Sequence, residues 1–203
     1  MTHADDKWLI IVRHGETDFN AARIIQMPVA ALSEQGRSQA ALLADRLADA
    51  GITRIVSSDF PRAADTAAVV SSRTGVAVDH DVLLRERDFG DFIGRSYDSF
   101  PSNPLPLDFA PPNGEGPDAF FGRMAQAWDL ITNLVADTPG NLLVVTHGLV
   151  CKAMVSKYVE PTSVATVPRS WLNTSVTEIS AAAPWLARRI NCVAHLPDQA
   201  RSK

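Results

Sequence analysis

Short apolar runs alternate with segments of helical spacing along most of this chain, and few folds accommodate that alternation. The apolar runs have the length of buried strands, and we predict strands at 7–13, 54–57, 76–78, 142–145, 176–179 and 186–192. The spacing of apolar residues between them predicts helices that begin at Ser33, Pro61, Phe120 and Leu149. Because buried strands that alternate with helices form parallel sheets covered on both faces, we predict an α/β fold with three layers, α/β/α, and a mostly parallel sheet.

Two helix boundaries are marked by residues with special backbone preferences. Gly51 stands where a C-terminal cap would end the helix that starts at Ser33. Pro61 stands where the first turn of a helix tolerates proline. We therefore place the first long helix between Ser33 and Gly51 and start the next one at Pro61.

Proline is concentrated in one part of the chain. Residues 101–117 hold six of the thirteen prolines, which predicts an irregular path there. A compact domain often uses such a segment as a functional lid. At 203 residues the chain has an ordinary length for one domain. We predict a single domain over residues 1–203, with a lid-like Pro-rich excursion at about 91–117.

Charge and cysteine content exclude several classes of partner. The formal net charge of −4 gives the chain no overall attraction to nucleic acid or to an anionic membrane. Two cysteines cannot build a disulfide framework or a four-ligand zinc site, and we expect no metal and no cofactor. The N-terminus lacks the regions of a secretory signal, and no apolar run is long enough to span a bilayer. We expect a cytoplasmic protein with a small-molecule partner and assign no oligomeric state.

Unusual polar residues follow three of the predicted strands. Arg13 and His14 end the first strand, Arg62 follows the second, and His147 ends the strand at 142–145. At the carboxyl edge of a parallel sheet these side chains would converge on one crevice. Arginine forks match phosphate oxygens, so the set predicts a site for a doubly charged tetrahedral anion. One His-Gly pair alone is ordinary turn chemistry, but two such pairs after buried strands favour a site.

Five motifs carry a resemblance to a known family. They are Arg13-His14-Gly15-Glu16-Thr17 with Asn20, the helix start at 32–37, the segment 57–67, the loop 84–90, and the strand end 144–148. In this order they resemble the motifs of the histidine phosphatase superfamily, which includes the cofactor-dependent phosphoglycerate mutases and many small phosphatases. The resemblance covers residues 9–150 and implies a phosphoglycerate mutase-like fold.

His14 is the candidate nucleophile. A neutral imidazole can attack phosphorus in line, and we expect a backbone carbonyl to hold its other ring nitrogen. Nearby arginine charge would disfavour the imidazolium and keep the ring neutral. We expect Arg13, Arg62 and His147 to bind the oxygens of the phosphoryl group during transfer.

The remaining site residues rest on the resemblance. Glu86 matches the family's general acid, although a carboxylate in the charged run 85–88 would otherwise be interpreted as a surface group. The resemblance also places Asn20, Thr17, Ser58 and Gln26 near the phosphate or its histidine.

Departures from the family pattern bear on the reaction. The segment 26–32 and the stretch 114–116 differ from the usual motifs, and the chain lacks the basic insert with which the true mutases hold a bisphosphorylated substrate. We therefore expect a metal-independent phosphomonoester hydrolase acting through a phosphohistidine. The alternatives are a cofactor-dependent phosphoglycerate mutase and a non-catalytic phosphate-binding protein on the same fold. Loops 23–32 and 91–117 would select the substrate.

Overall fold

Seven strands form one sheet in the computed structural model, which describes residues 7–100, 106–161 and 167–200. The strands are β1 (Trp8–Arg13), β2 (Ile52–Ser57), β3 (Val78–His80), β4 (Asn141–Thr146), β5 (Glu160–Pro161), β6 (Val176–Ser180) and β7 (Leu186–Cys192). Their order is β3-β2-β4-β1-β6-β7-β5. Only β6 runs antiparallel to its neighbours within these described ranges. The prediction of a mostly parallel sheet is confirmed.

Helices cover both faces of this sheet. They are α1 (Asp18–Ala21), α2 (Glu34–Leu47), α3 (Pro61–Thr74), α4 (Pro117–Asp137) and α5 (Gly148–Tyr158). Successive residues of a strand point to opposite faces, so Leu9 and Ile11 join a core with α4 and α5. Ile10 and Val12 join a second core with α2 and α3. The predicted three-layer architecture is therefore confirmed.

The caps of α2 and α3 follow from local sequence. The Ser33 hydroxyl accepts a hydrogen bond from the backbone nitrogen of Gly36 at 3.0 Å, which caps α2. The prediction that Gly51 caps this helix is wrong, because α2 ends at Leu47. Gly51 instead has a φ of +62° in the turn that leads into β2. Pro61 opens α3 as predicted.

The third strand lies two residues later than predicted. Gly75 ends α3 in the left-handed conformation, with a φ of +74°. Val76 packs against the second core while the chain crosses from the helix to the sheet edge. Pairing with β2 therefore begins only at Val78, opposite Ile55.

The Pro-rich excursion has little regular structure where it is described. Two 3₁₀ turns, Gly90–Phe92 and Tyr97–Ser99, precede residues 101–105, which lie outside the described residues. The chain is described again from Pro106 and enters α4 at Pro117. A single domain over residues 1–203 stays a prediction. No described helix has both the length and the apolar character needed to cross a membrane.

Candidate active site

Neighbouring strands bring the two candidate histidines side by side. Arg13 and Thr146 are paired across the parallel strands β1 and β4, so His14 and His147 leave the sheet at the same edge. Their ring centroids are 5.2 Å apart and their planes are inclined by 60°. The next strand, β2, ends at Ser57 and leads through Ser58 to Arg62 at the start of α3. The structure thus brings together Arg13, His14, Arg62 and His147, which we call the His–Arg cluster.

His14 is held in one orientation and kept neutral. Its Nδ1 lies 2.6 Å from the carbonyl oxygen of Gly15, which assigns the proton to Nδ1 and the lone pair to Nε2. The residue is 1% exposed. Burial lowers its pKa well below the usual value, and the charges of Arg62 and Arg13 lower it further. The backbone carbonyl that we expected to hold the other ring nitrogen of His14 is that of Gly15. Burial contributes more than the arginine charges to keeping the ring neutral.

His147 is a second neutral imidazole. It is fully buried, and its Nε2 lies 2.9 Å from the hydroxyl oxygen of Ser58. Burial lowers its pKa well below the usual value, with Arg62 contributing next. A neutral ring can donate a hydrogen bond to an oxygen of the transferring group without carrying a permanent charge.

The two arginines of the cluster are buried but not fully paired. Arg13 donates through Nη1 to the carbonyl of Trp171, and Arg62 donates to the carbonyls of Met27 and Pro28 at 3.2 and 3.3 Å. Burial lowers the pKa of Arg62 to about 10, which leaves it charged at neutral pH.

Three buried nitrogens of the cluster lack hydrogen-bond partners among the described residues. They are Arg13 Nε, Arg62 Nε and His147 Nδ1. Unpaired buried polar groups are costly, so this concentration is typical of a site that binds an anion.

Glu86 is tied to the same edge of the sheet. Its Oε2 accepts a hydrogen bond from the backbone nitrogen of Leu149 at 3.2 Å, in the first turn of α5. Its Oε1 accepts from the backbone nitrogen of Arg87 at 3.1 Å. Its charge raises the pKa of Arg13 and of Arg62, against the effect of burial. Glu86 and Arg62 also line one cavity, so the carboxylate and the His–Arg cluster border the same space.

Thr17, Asn20 and Gln26 form a hydrogen-bonded network near His14. Thr17 caps α1, and its hydroxyl accepts from the backbone nitrogen of Asn20 at 3.1 Å and donates to Gln26 Oε1 at 2.9 Å. Thr17 is fully buried. These bonds give Thr17 and Asn20 a structural role, and direct phosphate contact by Asn20, Thr17, Ser58 and Gln26 stays a prediction.

A cavity of about 690 Å³ adjoins the cluster. Arg62, Glu86 and Gln26 line it, and Arg62 belongs to both the cavity and the cluster. Many other lining residues are apolar, among them Ile25, Phe60, Phe89, Ile93 and Leu149. A volume in this range accommodates a small organic molecule as well as a phosphate group.

Asn173 is a site residue that sequence reasoning missed. Its amide donates to the main-chain oxygen of His14 at 3.0 Å and to Asn20 Oδ1 at 3.3 Å, and the residue is fully buried. Thr174 also donates to the oxygen of His14, from its backbone nitrogen at 3.2 Å. The sequence feature that could have indicated this residue is the run of polar side chains at 173–175, directly before β6. Because β6 is antiparallel, its start meets the edge where β1 ends.

The described residues contain no group of three or more histidine, cysteine or acidic side chains placed to hold a metal ion. The two candidate histidines are instead engaged by Gly15 and Ser58. The arrangement suits binding of a tetrahedral anion and attack on it by Nε2 of His14.

Comparison with known proteins identifies the family. The family model described as the histidine phosphatase superfamily (branch 1) matches residues 9–187. The chain is 32% identical over 206 aligned positions to the probable phosphoglycerate mutase GpmB of Erwinia tasmaniensis, covering 94% of this chain and 95% of the relative. It is 34% identical over 165 positions to the phosphoglycerate mutase-like protein 4 of Arabidopsis thaliana, covering 73% of this chain and 70% of the relative.

Solved structures agree with this assignment. A mycobacterial glucosyl-3-phosphoglycerate phosphatase in complex with VO3 superimposes with a TM-score of 0.78 at 28% identity, covering 92% of this chain and 99% of that one. A phosphoglycerate mutase from Bacillus anthracis gives a TM-score of 0.78 at 25% identity, covering 94% of this chain and 96% of that one. The five motifs, the sheet order and these matches agree, and the chain belongs to the histidine phosphatase superfamily.

Proposed function

We propose that this protein is a metal-independent phosphomonoester hydrolase that acts on a small phosphorylated metabolite through a covalent phosphohistidine. The observation that carries the proposal is the state of His14. Its ring is buried and neutral, and Gly15 fixes Nδ1 so that Nε2 presents a lone pair. Arg13 and Arg62 place positive charge beside it. A neutral nucleophile next to two guanidinium groups suits attack on a phosphate dianion.

In the first step Nε2 of His14 forms a bond to phosphorus while the bond from phosphorus to the ester oxygen breaks. Arg13, Arg62 and His147 stabilise the charge on the three non-bridging oxygens. Glu86, in its carboxylic acid form, gives its proton to the departing alkoxide. The products of this step are the free alcohol, phosphohistidine and the Glu86 carboxylate.

In the second step water replaces the alcohol. The Glu86 carboxylate takes one proton from the water as its oxygen bonds to phosphorus. The bond between phosphorus and Nε2 breaks, which releases inorganic phosphate and restores the neutral imidazole and the Glu86 acid.

Labelling of His14 tests the proposal. Protein incubated with ³²P-labelled 4-nitrophenyl phosphate and quenched in alkali is expected to carry an acid-labile, alkali-stable label on His14. The His14→Ala variant should carry none, and phosphate release should persist in EDTA. A protein that binds phosphate without ever becoming labelled is instead the non-catalytic alternative, and loss of turnover in EDTA contradicts a metal-independent reaction.

A phosphoglycerate mutase is the second candidate, because curated relatives carry that name. In a mutase the phosphoryl group passes from His14 to a second hydroxyl instead of to water. Incubation with 3-phosphoglycerate and a bisphosphoglycerate primer separates the two reactions. We expect inorganic phosphate to exceed the 2-phosphoglycerate isomer, and the reverse ratio would favour the mutase.

A further inference from the structure

Part of the cavity wall is built from residues outside the His–Arg cluster, and we expect this part, the outer wall, to contact the alcohol portion of a bound ester. We define the outer wall as the lining residues supplied by segment 82–97 together with Glu115 and Arg123. Its cationic members are Arg85, Arg87 and Arg123. Whether these arginines are available to a ligand decides which substrates the cavity favours.

Arg123 and Arg85 are neutralised by carboxylates. Arg123 makes a two-pronged pair with Glu115, from Nε at 2.8 Å and from Nη2 at 2.7 Å. Its remaining nitrogen, Nη1, donates to the carbonyls of Leu83 and Arg85, both at 2.8 Å. Arg85 makes a similar two-pronged pair with Asp59 through Nε and Nη2. The fully engaged fork of Arg123 has little capacity left for a second anion, and the charge of Arg85 is balanced by Asp59.

The guanidinium group of Arg87 is hydrogen-bonded to the backbone of the Pro-rich excursion. The residue is 3% exposed, and all three guanidinium nitrogens donate to carbonyl oxygens. The acceptors are Pro106, Leu107, Phe109 and Glu115. Arg87 therefore anchors this loop beside Glu86 and offers no free donor fork to the cavity.

The contrast with the His–Arg cluster is clear. Arg13 and Arg62 each retain a buried Nε without a partner among the described residues, whereas all three nitrogens of Arg87 and Arg123 are engaged. The undescribed part of the excursion, residues 101–105, contains no lysine or arginine in its sequence. The buried arginine nitrogens without a partner among the described residues are thus those at the phosphate end.

Acidic side chains also line the cavity, among them Glu86 and Asp88. Asp88 is exposed, and its carboxylate accepts a hydrogen bond from the backbone nitrogen of Gly90 at 2.9 Å and forms no ion pair with the part of the chain that the structure describes. In the proposed first step Glu86 is the neutral acid, so Asp88 is the carboxylate that a second anionic group of the substrate would meet in this cavity. Like-charge contacts of this kind are unfavourable.

We infer that the site selects phosphomonoesters of neutral, partly apolar alcohols and discriminates against substrates with a second anionic group, such as a carboxylate or another phosphate. This inference rests on the proposed hydrolase function and names its substrate class. The names of several relatives contain phosphoglycerate, which carries a carboxylate. The inference therefore predicts that phosphoglycerate is a poor substrate of this protein. The paired arginines of the outer wall are the structural basis of this selection.

Two matched esters test the inference. The monophosphate esters of 4-(hydroxymethyl)benzamide and 4-(hydroxymethyl)benzoate differ only in an amide or a carboxylate far from the reacting oxygen. We expect kcat/KM at pH 7 to be at least about tenfold higher for the amide. Equal values, or a preference for the carboxylate, would overturn the inference while leaving the hydrolase intact. Release of phosphate from neither ester would contradict the hydrolase, and the same preference measured as Kd by calorimetry would then decide the inference.

Releasing one arginine provides a gain-of-function test. The Glu115→Gln variant removes the charge that neutralises Arg123, and we expect the preference for the amide ester to shrink about fivefold or more. The ratio of two substrates within one variant cancels any general loss of activity. The control is Asp45→Asn, which removes a carboxylate from the exposed Arg73 pair at 3.1 Å and should leave the ratio unchanged. An unchanged ratio in Glu115→Gln would contradict the role of Arg123.

Discussion

At the scale of single residues, the proposed acid role of Glu86 can be tested with good and poor leaving groups. Its carboxyl group is fixed by the backbone nitrogens of Leu149 and Arg87, next to the start of α5. If Glu86 protonates the departing alkoxide, the Glu86→Gln variant should lose about 10²–10⁴ in kcat on alkyl phosphates. Hydrolysis of 4-nitrophenyl phosphate should fall much less, because nitrophenolate departs without a proton. Steady-state kinetics on both substrates measures the difference.

The matched control for this prediction is Asp88→Asn. Asp88 supplies another carboxylate to the same cavity and hydrogen-bonds the backbone of Gly90 instead of the start of α5. We expect the control to change the rates on the two kinds of substrate by similar factors. Equal losses in Glu86→Gln on alkyl and aryl phosphates would rule out Glu86 as the acid.

The sequence motifs identified some site residues and missed others for a physical reason. His14 and His147 stand directly after buried strands, so local sequence places them at a strand end. Asn173 and Arg123 reach the site from elements far away in the chain. Their roles depend on the direction of β6 and on the path of α4. The residues next to the motifs indicate neither of these.

At the scale of elements, the turn that carries His14 is packed against the start of α2. A Cβ atom at Gly36 would lie 2.0 Å from the carbonyl oxygen of Glu16, which is backbone and cannot rotate away. Two hydrogen bonds also hold Glu16. The Ser33 hydroxyl donates to a carboxylate oxygen of Glu16 at 3.1 Å. The backbone nitrogen of Glu16 donates to Gln39 Oε1 at 2.9 Å. Helix α2 therefore supports the turn that carries His14 by direct backbone contact.

The Gly36→Ala variant should therefore lose stability and activity together. We expect a loss of about 3 kcal/mol in the free energy of unfolding, measured by urea denaturation. The control is Gly122→Ala in the exposed interior of α4, where an added Cβ meets nothing within 4 Å. That variant should gain up to about 1 kcal/mol from helix propensity. A Gly36→Ala protein of wild-type stability would contradict this contact between α2 and the His14 turn.

The sequence pattern located most elements and predicted a mostly parallel sheet, but it did not indicate the antiparallel direction of β6. Apolar runs and helix caps depend on neighbouring residues, which is why α3 begins at Pro61 and β7 spans Leu186–Cys192 as predicted. The antiparallel direction of β6 depends on the path of the preceding segment across the sheet, and that path has no local signature. The shift of β3 to Val78 arises likewise from the distance that the chain must cross after Gly75.

At the scale of the whole molecule, the site places neutral imidazoles in the protein interior. His14 and His147 are buried, and burial is the main cause of their lowered pKa values. In the unfolded chain each histidine has a pKa of about 6.5 and takes up a proton below that pH. The native protein binds fewer protons there, so its stability is fully present above pH 6.5 and is lost as pH falls.

This linkage predicts the acid response of the fold. Between pH 6.5 and pH 5 we expect the free energy of unfolding to fall by about 2 kcal/mol for each of these two histidines. His195 should add a loss of similar size in the same direction, because burial and Arg46 lower its pKa to about 4, which keeps it neutral in the native protein down to pH 5. Urea denaturation at a series of pH values measures the slope. From pH 7 to pH 8 the curve should be nearly flat, since the imidazoles are neutral in both states.

The His147→Gln variant separates this effect from the titration of carboxylates. Glutamine cannot take up a proton in the unfolded chain, so the variant should lose about 2 kcal/mol less than the wild type between pH 6.5 and pH 5. The comparison uses only the change in the free energy of unfolding with pH, so a lower stability of the variant at pH 6.5 does not affect it. Identical slopes in the two proteins would mean that His147 binds a proton equally in both states, which contradicts burial as a neutral ring. A shallower slope in the variant would show that folding itself keeps this imidazole neutral.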